Sequence, residues 1–162
     1  MSQSVLFVCL GNICRSPLAE AALRQECADS ELNLIIDSAG TGDWHVGHEP
    51  DMRAQAVAAK NGVEIGHLRG RQVTTADFHN FDHMIALDNQ NLQDLMARRP
   101  ANTVARLSLL FDHIAGQAGK DVIDPYYGDD DGFDETWAVV TEAARNLRKM
   151  LEAGDDMPIA LK

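Results

Sequence analysis

The sequence predicts an α/β fold, a parallel sheet wrapped by helices within one domain. Three observations carry that expectation. Val5-Leu6-Phe7-Val8-Cys9 is apolar at every position, as in a strand buried on both faces, whereas a half-exposed strand alternates. Strand-like and helix-like segments then alternate along the chain, the pattern of right-handed β-α-β crossovers. The length of 162 residues suits one domain and buries enough surface to need neither disulfides nor a structural metal.

The first strand is 5–9. Gly11-Asn12 marks a turn with positive φ, and Ser16-Pro17 reads as a helix cap followed by proline at the first helical position, opening a helix over 17–28. A second strand over 34–39 runs into a glycine-rich loop from Gly40 to Gly47. Helical spacing over 50–61 is closed by Gly62; a strand follows over 81–87, a helix over 90–99 stopped by Pro100, and a short strand over 105–111. A last helix, 134–152, sets Trp137, Val140, Ala144, Leu147 and Leu151 on one core-facing stripe. The domain is expected to span 1–154, with 155–162 a loose tail. Ligands of such folds sit at the carboxyl ends of the strands.

Composition excludes several functions. A net charge of −11 repels polyphosphate and anionic lipid, which argues against nucleic acid and membrane as partners. Cys9, Cys14 and Cys27 are an odd set without paired C-x2-C spacing, so they read as cytosolic thiols. The apolar run Val5 to Leu10 is too short for a signal core or a membrane span, so the expected location is cytoplasmic. His45-x2-His48 and His79-x3-His83 lack a third ligand, and no metal is expected. Gly40-x-Gly42 lacks the third glycine of a dinucleotide fingerprint, and no G-x4-G-K-[ST] occurs, so no nucleotide cofactor is expected.

The chemistry concentrates in Cys9-Leu10-Gly11-Asn12-Ile13-Cys14-Arg15-Ser16. Its C-x5-R spacing alone arises by chance about 0.2 times in a chain of this composition; its context between a buried strand and a helix start sharpens it. Consecutive N–H groups in such a turn form an anion-binding nest, reinforced by the helix's unpaired amides and dipole. Arg15 offers a planar fork for two phosphate oxygens, and the same field favours thiolate at Cys9, making it a nucleophile. The Ser16 hydroxyl can support that sulfur as a leaving group. Expulsion of an aryl oxygen also needs a proton donor, and Asp124, held by Pro125 beside Tyr126 and Tyr127, is the candidate, with partial burial and negative neighbours expected to raise its pKa. Trp44 supplies an aromatic wall. Two aromatic loops facing an anion nest describe a phosphotyrosine pocket.

The run Val5 to Ala21, together with Ser38-Ala39-Gly40-Thr41, Asp43-Trp44, Val46-Gly47 and Asp124-Pro125-Tyr126-Tyr127-Gly128, closely resembles the low-molecular-weight protein tyrosine phosphatases over essentially the whole chain. The resemblance implies a four-stranded parallel sheet with a phosphate-binding loop after the first strand, and hydrolysis of phosphotyrosine through a phosphocysteine at Cys9, without cofactors. It implies a phosphate clamp of Arg15 and the amides of Leu10 to Arg15, Asp124 as general acid, Asn12 holding the strained loop, and Ser16 beside the sulfur. His67 and Asp88 fall where the family keeps supporting residues. Implied partners are phosphotyrosine-containing proteins, a tyrosine kinase among them if the source is bacterial, with inorganic phosphate as product. Redox regulation by Cys14 capturing oxidised Cys9 resembles family behaviour.

Three alternatives stand beside this reading. An arsenate reductase on this scaffold calls for a further cysteine pair around the third strand, and none lies beyond Cys27. A protein arginine phosphatase carries a smaller polar residue where this chain has Ile13. A non-catalytic phosphotyrosine binder has no need of Asp124. The acidic run Asp129-Asp130-Asp131 departs from the family pattern and is expected to be a solvated loop bearing on substrate preference.

Overall fold

Alternate residues of β1 (Gln3–Cys9) point to opposite faces of the sheet, and both faces are covered, which is why the strand is apolar throughout. Val5, Phe7 and Cys9 enter one cluster, Leu6 and Val8 another. The computed structural model describes residues 3–154, so the tail expected at 155–162 lies outside the described residues.

Four parallel strands, β1, β2 (Leu34–Gly40), β3 (His83–Ala86) and β4 (Arg106–Leu109), form one sheet in the order β2-β1-β3-β4. Helices α1 (Arg15–Glu26), α2 (Met52–Lys60) and α5 (Asp131–Ala153) cover one face; α3 (Asp77–Asn80) and α4 (Asn89–Arg98) cover the other. Leu18, Leu23 and Leu147 are fully buried between α1, α5 and the sheet, each stabilising by about 1.5–3 kcal/mol relative to an exposed side chain. The chain leaves β1 toward β2 on one side and returns to β3 on the other. The crevice at the carboxyl end of β1 is therefore the topological switch point of this single-domain α/β fold.

Local differences from the expected elements have identifiable causes. Helix α1 begins at Arg15, with Pro17 inside its first turn, and the Ser16 hydroxyl does not cap it but turns back to Cys9. The strand expected over 105–111 ends at Leu109, where the Asp112 carboxylate accepts the Leu109 N–H and the chain tightens into a 3₁₀ turn, Leu110–His113. The one-turn α3 carries too few residues to show a helical period. Helix α5 starts at Asp131 rather than 134, so part of the acidic run is its first turn, where Asp131 and Asp134 complement the positive end of the helix dipole.

His113 ties the end of β4 to α5. Its Nε2 lies 2.9 Å from Ser108 Oγ, and its carbonyl accepts from Asn146 Nδ2 at 2.8 Å. Burial pushes its imidazole down to about 4 from 6.5, despite Asp112 nearby. The unfolded chain thus takes up a proton below about pH 6.5 that the folded protein refuses until about pH 4, and stability falls as pH falls through that window. Denaturant titrations at pH 7 and pH 4 should show a loss from this group of up to about 3 kcal/mol, a loss absent in His113→Gln. Equal losses in both proteins would contradict the assignment.

Candidate active site

The loop after β1 turns its amides inward because its carbonyls are engaged outside. The Cys9 and Leu10 carbonyls accept from Thr41 and Gly42 N–H, both at 2.9 Å, and the Ile13 carbonyl accepts from Asp51 N–H at 2.9 Å. A trans peptide points its N–H opposite to its C=O, so the next amides face the loop's centre as a nest. Gly40 leaves room for the second of these contacts: a Cβ there would stand 2.7 Å from the Leu10 oxygen.

Asn12 makes the turn. Its φ is 56°, left-handed as expected, and its side chain is tied at both ends. Asn12 Nδ2 donates to Ser16 Oγ at 2.8 Å and to Ser38 Oγ at 2.9 Å, while its Oδ1 accepts from Arg71 N–H at 3.0 Å. Ser38 passes its own proton to the buried Glu20 carboxylate, 2.7 Å, whose other oxygen accepts from Arg24 Nε at 2.9 Å. With Ser16 Oγ accepting from Asn12, its hydroxyl proton is free for Cys9 Sγ at 3.0 Å; the Asn12 N–H donates to the same sulfur at 3.3 Å. The sulfur thus faces two hydrogen-bond donors. Cys14 shows no such donors, and burial pushes its thiol well up, with Asp51, Cys9 and Asp124 adding to the shift. Of the two thiols lining the cleft, Cys9 is the one equipped as a nucleophile.

Arg15 is 3% exposed, its Nη1 donating to Asp88 Oδ2 at 2.7 Å and to the Val122 carbonyl at 2.9 Å. Burial alone would lower its pKa, but Cys9, Asp88 and Asp124 more than offset this and hold it charged. Asp88 follows β3, caps α4 through Asn91 N–H at 2.7 Å, and orients the guanidinium. Asp124 arrives from beyond β4, just before a 3₁₀ turn, Pro125–Tyr127. Its Oδ2 is 3.6 Å from Arg15 Nη2, its Oδ1 accepts from Tyr126 N–H at 3.1 Å, and its side chain is 31% exposed. Arg15 is thus an ion-pair partner of Asp124 that the expectation of negative neighbours did not include.

These groups meet in a cleft of about 390 Å³ lined by Cys9, Leu10, Gly11, Ile13, Cys14, Arg15, Trp44, His45, Asp124, Tyr126 and Tyr127. Asn12 and Ser16 lie beneath it as buried supports. Trp44, 67% exposed, folds back over Gly42, and Tyr126 meets Tyr127 edge-on at 5.0 Å, so the cleft has a charged floor and an aromatic lip. His67 is exposed and borders a separate hollow beside Glu20 and Asn12. Sequence reasoning missed Asp51 and Arg53 and gave no role to Ser38 or Glu20, which it met only within the family-like runs; the helix-capping place of Asp51, ahead of an amphipathic run, offered a signal for that residue. Among the described residues no group of three or more His, Cys, Asp or Glu is placed to hold a metal.

Removing the Asn12 side chain leaves Ser16, Ser38 and the Arg71 N–H each short of a partner, and alanine adds the cost of positive φ. Asn12→Ala should lose about 2–4 kcal/mol of stability, and Asn12→Gly about 1 kcal/mol less than that, read from denaturant midpoints. A glycine variant less stable than the alanine variant would show that the backbone there is unstrained.

Comparison with known proteins agrees with this geometry. The family model described as low molecular weight phosphotyrosine protein phosphatase matches residues 4–156. A low molecular weight phosphotyrosine protein phosphatase of Schizosaccharomyces pombe is 43% identical over 150 residues, 91% of this chain and 96% of the relative. A protein tyrosine phosphatase of Entamoeba histolytica, solved with Hepes in its active site, superposes with a TM-score of 0.88 at 37% identity, covering 94% of this chain and 99% of its own. A Drosophila arginine phosphatase gives a TM-score of 0.86 at 32% identity over 93% and 99%. With a family match of that extent and such identity to its relatives, the chain belongs to the low molecular weight phosphotyrosine protein phosphatase family.

Proposed function

We propose that the protein hydrolyses phosphotyrosine in proteins through a phosphocysteine on Cys9. The observation that carries this is the meeting of a doubly hydrogen-bonded sulfur, a buried guanidinium and a carboxyl in one cleft, contributed by the carboxyl-end loops of different strands. The nest amides and Arg15 bind the phosphoryl oxygens, and the Cys9 thiolate attacks phosphorus in line. The S–P bond forms as the P–O bond to the aryl oxygen breaks, and protonated Asp124 gives its proton to that oxygen. Water then attacks the phosphocysteine, the Asp124 carboxylate takes its proton, and the S–P bond breaks to release inorganic phosphate and the thiolate, steadied by Ser16. No step calls for a cofactor.

Trp44, Tyr126 and the apolar Ile13 at the cleft favour an aryl ester over a phosphoguanidinium, which separates this reading from that of an arginine phosphatase. The domain that carries the activity is 1–154. The location is cytoplasmic, in keeping with a mechanism that needs Cys9 reduced; Cys9, Cys14 and Cys27 are all free thiols. Cys14, lining the same cleft, is the resolving partner when Cys9 is oxidised to a sulfenic acid, the two condensing to a disulfide with loss of water. A tyrosine kinase is among the substrates if the source is bacterial. Among the described residues no helix is long and apolar enough to cross a membrane.

The acid assignment is tested with Asp124→Asn on aryl phosphates of graded leaving group. A phenolate of pKa about 10 needs protonation far more than a nitrophenolate. The loss in kcat/KM, which reports only the steps through expulsion of the leaving group, should be on the order of 10²–10⁴-fold for tyrosine-like esters and smaller for activated ones. Equal losses across the series would make Asp124 a structural carboxylate.

A further inference from the structure

Arg53, in the first turn of α2, joins the two sides of the cleft from outside it. Its guanidinium is forked onto Asp51, Nε to Oδ1 and Nη2 to Oδ2, both at 3.1 Å, and the same Nη2 donates to the Tyr126 carbonyl at 3.1 Å. Its Cζ stands 4.7 Å from the ring centroid of buried Phe133 and 5.5 Å from that of Tyr126, within the range of cation–π attraction. Asp51 in turn donates its N–H to the Ile13 carbonyl of the anion loop at 2.9 Å, and Tyr126 donates its N–H to Asp124 Oδ1 at 3.1 Å. A continuous set of hydrogen bonds therefore runs from the anion loop through Asp51, Arg53 and Tyr126 to the Asp124 carboxylate.

We propose that Arg53 is a positioning residue, a strut that holds the proton-donor loop at a fixed reach from the anion loop and sets the Tyr126 ring against the substrate. The inference rests on the assignment of Asp124 as the acid. The segment it holds is a single 3₁₀ turn in which Pro125 is buried but Tyr126 and Tyr127 are exposed, Tyr127 at 84%. Its other ties to the anion loop run through Arg15, to the Val122 carbonyl and to Asp124. A phosphoryl group on the Arg15 fork competes with Asp124 for Nη2, so Arg15 cannot grip substrate and fix the acid at once. An anchor independent of Arg15 keeps the acid in place when it is needed. The task requires arginine: one planar group meets both Asp51 oxygens and a carbonyl while stacking on two rings, which an ammonium cannot do.

A strut acts on proton delivery, so its loss must follow the leaving group. In Arg53→Gln, kcat/KM on phenyl phosphate, which reports only the steps through expulsion of the leaving group, should fall on the order of 10–100-fold, the scale of a small misplacement of a catalytic group. The fall on p-nitrophenyl phosphate should be much smaller, and inhibition by inorganic phosphate unchanged. Arg53→Lys should restore only a minor part, and it carries the same series if the glutamine variant fails to fold. In an Asp124→Asn background, Arg53→Gln should cost nothing further in kcat/KM on phenyl phosphate. Equal losses on all esters, no loss, or a loss that multiplies with Asp124→Asn would overturn the proposal. If Asp124→Asn shows the leaving-group dependence and the Arg53 variants do not, the strut alone fails. If Asp124→Asn shows none, the acid assignment fails and the strut with it.

Discussion

Asn12 holds a backbone conformation that costs an L-residue roughly 1–2 kcal/mol, and the three hydrogen bonds of its amide offset that cost. The rest of the site depends on it. Without a left-handed residue at this point the chain does not curl back between the end of β1 and the start of α1, and the amides do not converge. The same amide fixes Ser16 so that its hydroxyl is aimed at Cys9, which links the shape of the loop to the hydrogen bonds its sulfur receives. Behind it, Ser38, Glu20 and Arg24 extend the network to the outer side of α1. Each buried member has a partner, which is the condition under which a buried polar network rigidifies rather than destabilises.

Electrostatics in the cleft run against those of the whole molecule. The chain carries a net −11, yet the group at the base of the cleft is a buried arginine, kept charged by Cys9, Asp88 and Asp124 around it. Asp88 takes one side of the guanidinium at 2.7 Å, leaving Nη2 facing Asp124 at 3.6 Å. A dianion entering the nest meets the loop amides and that fork, with the Asp124 side chain alongside. Local burial and fixed donors, rather than net charge, decide what binds there.

Much of this was legible in the sequence because its signals are local. The unbroken apolar run of β1 announced a central strand, and Gly11-Asn12 announced the turn. Cys9, Arg15 and Asp124 were found by residue type and context and do share one cleft. Ser16-Pro17 misled, because a serine before a proline reads as a cap while the demands of the sulfur take that hydroxyl elsewhere. The pairing of Asp124 with Arg15 was not anticipated, because the two are brought near only by the fold. The roles of Ser38, Glu20 and Arg53 were illegible for the same reason, since each acts through contacts between distant segments, although Ser38 and Glu20 lie within the family-like runs.

The central claim is that Cys9 forms a covalent bond to phosphorus during turnover. A denaturing quench of the enzyme while it consumes an aryl phosphate, followed by fragmentation mass spectrometry of the peptide holding residues 9–15, tests it most directly. The account predicts a phosphoryl group on the sulfur of Cys9 and none on Cys14, more abundant when Asp124→Asn slows hydrolysis of the intermediate for an activated ester. Turnover with no phosphoryl group on Cys9, or with one on another residue, would contradict it.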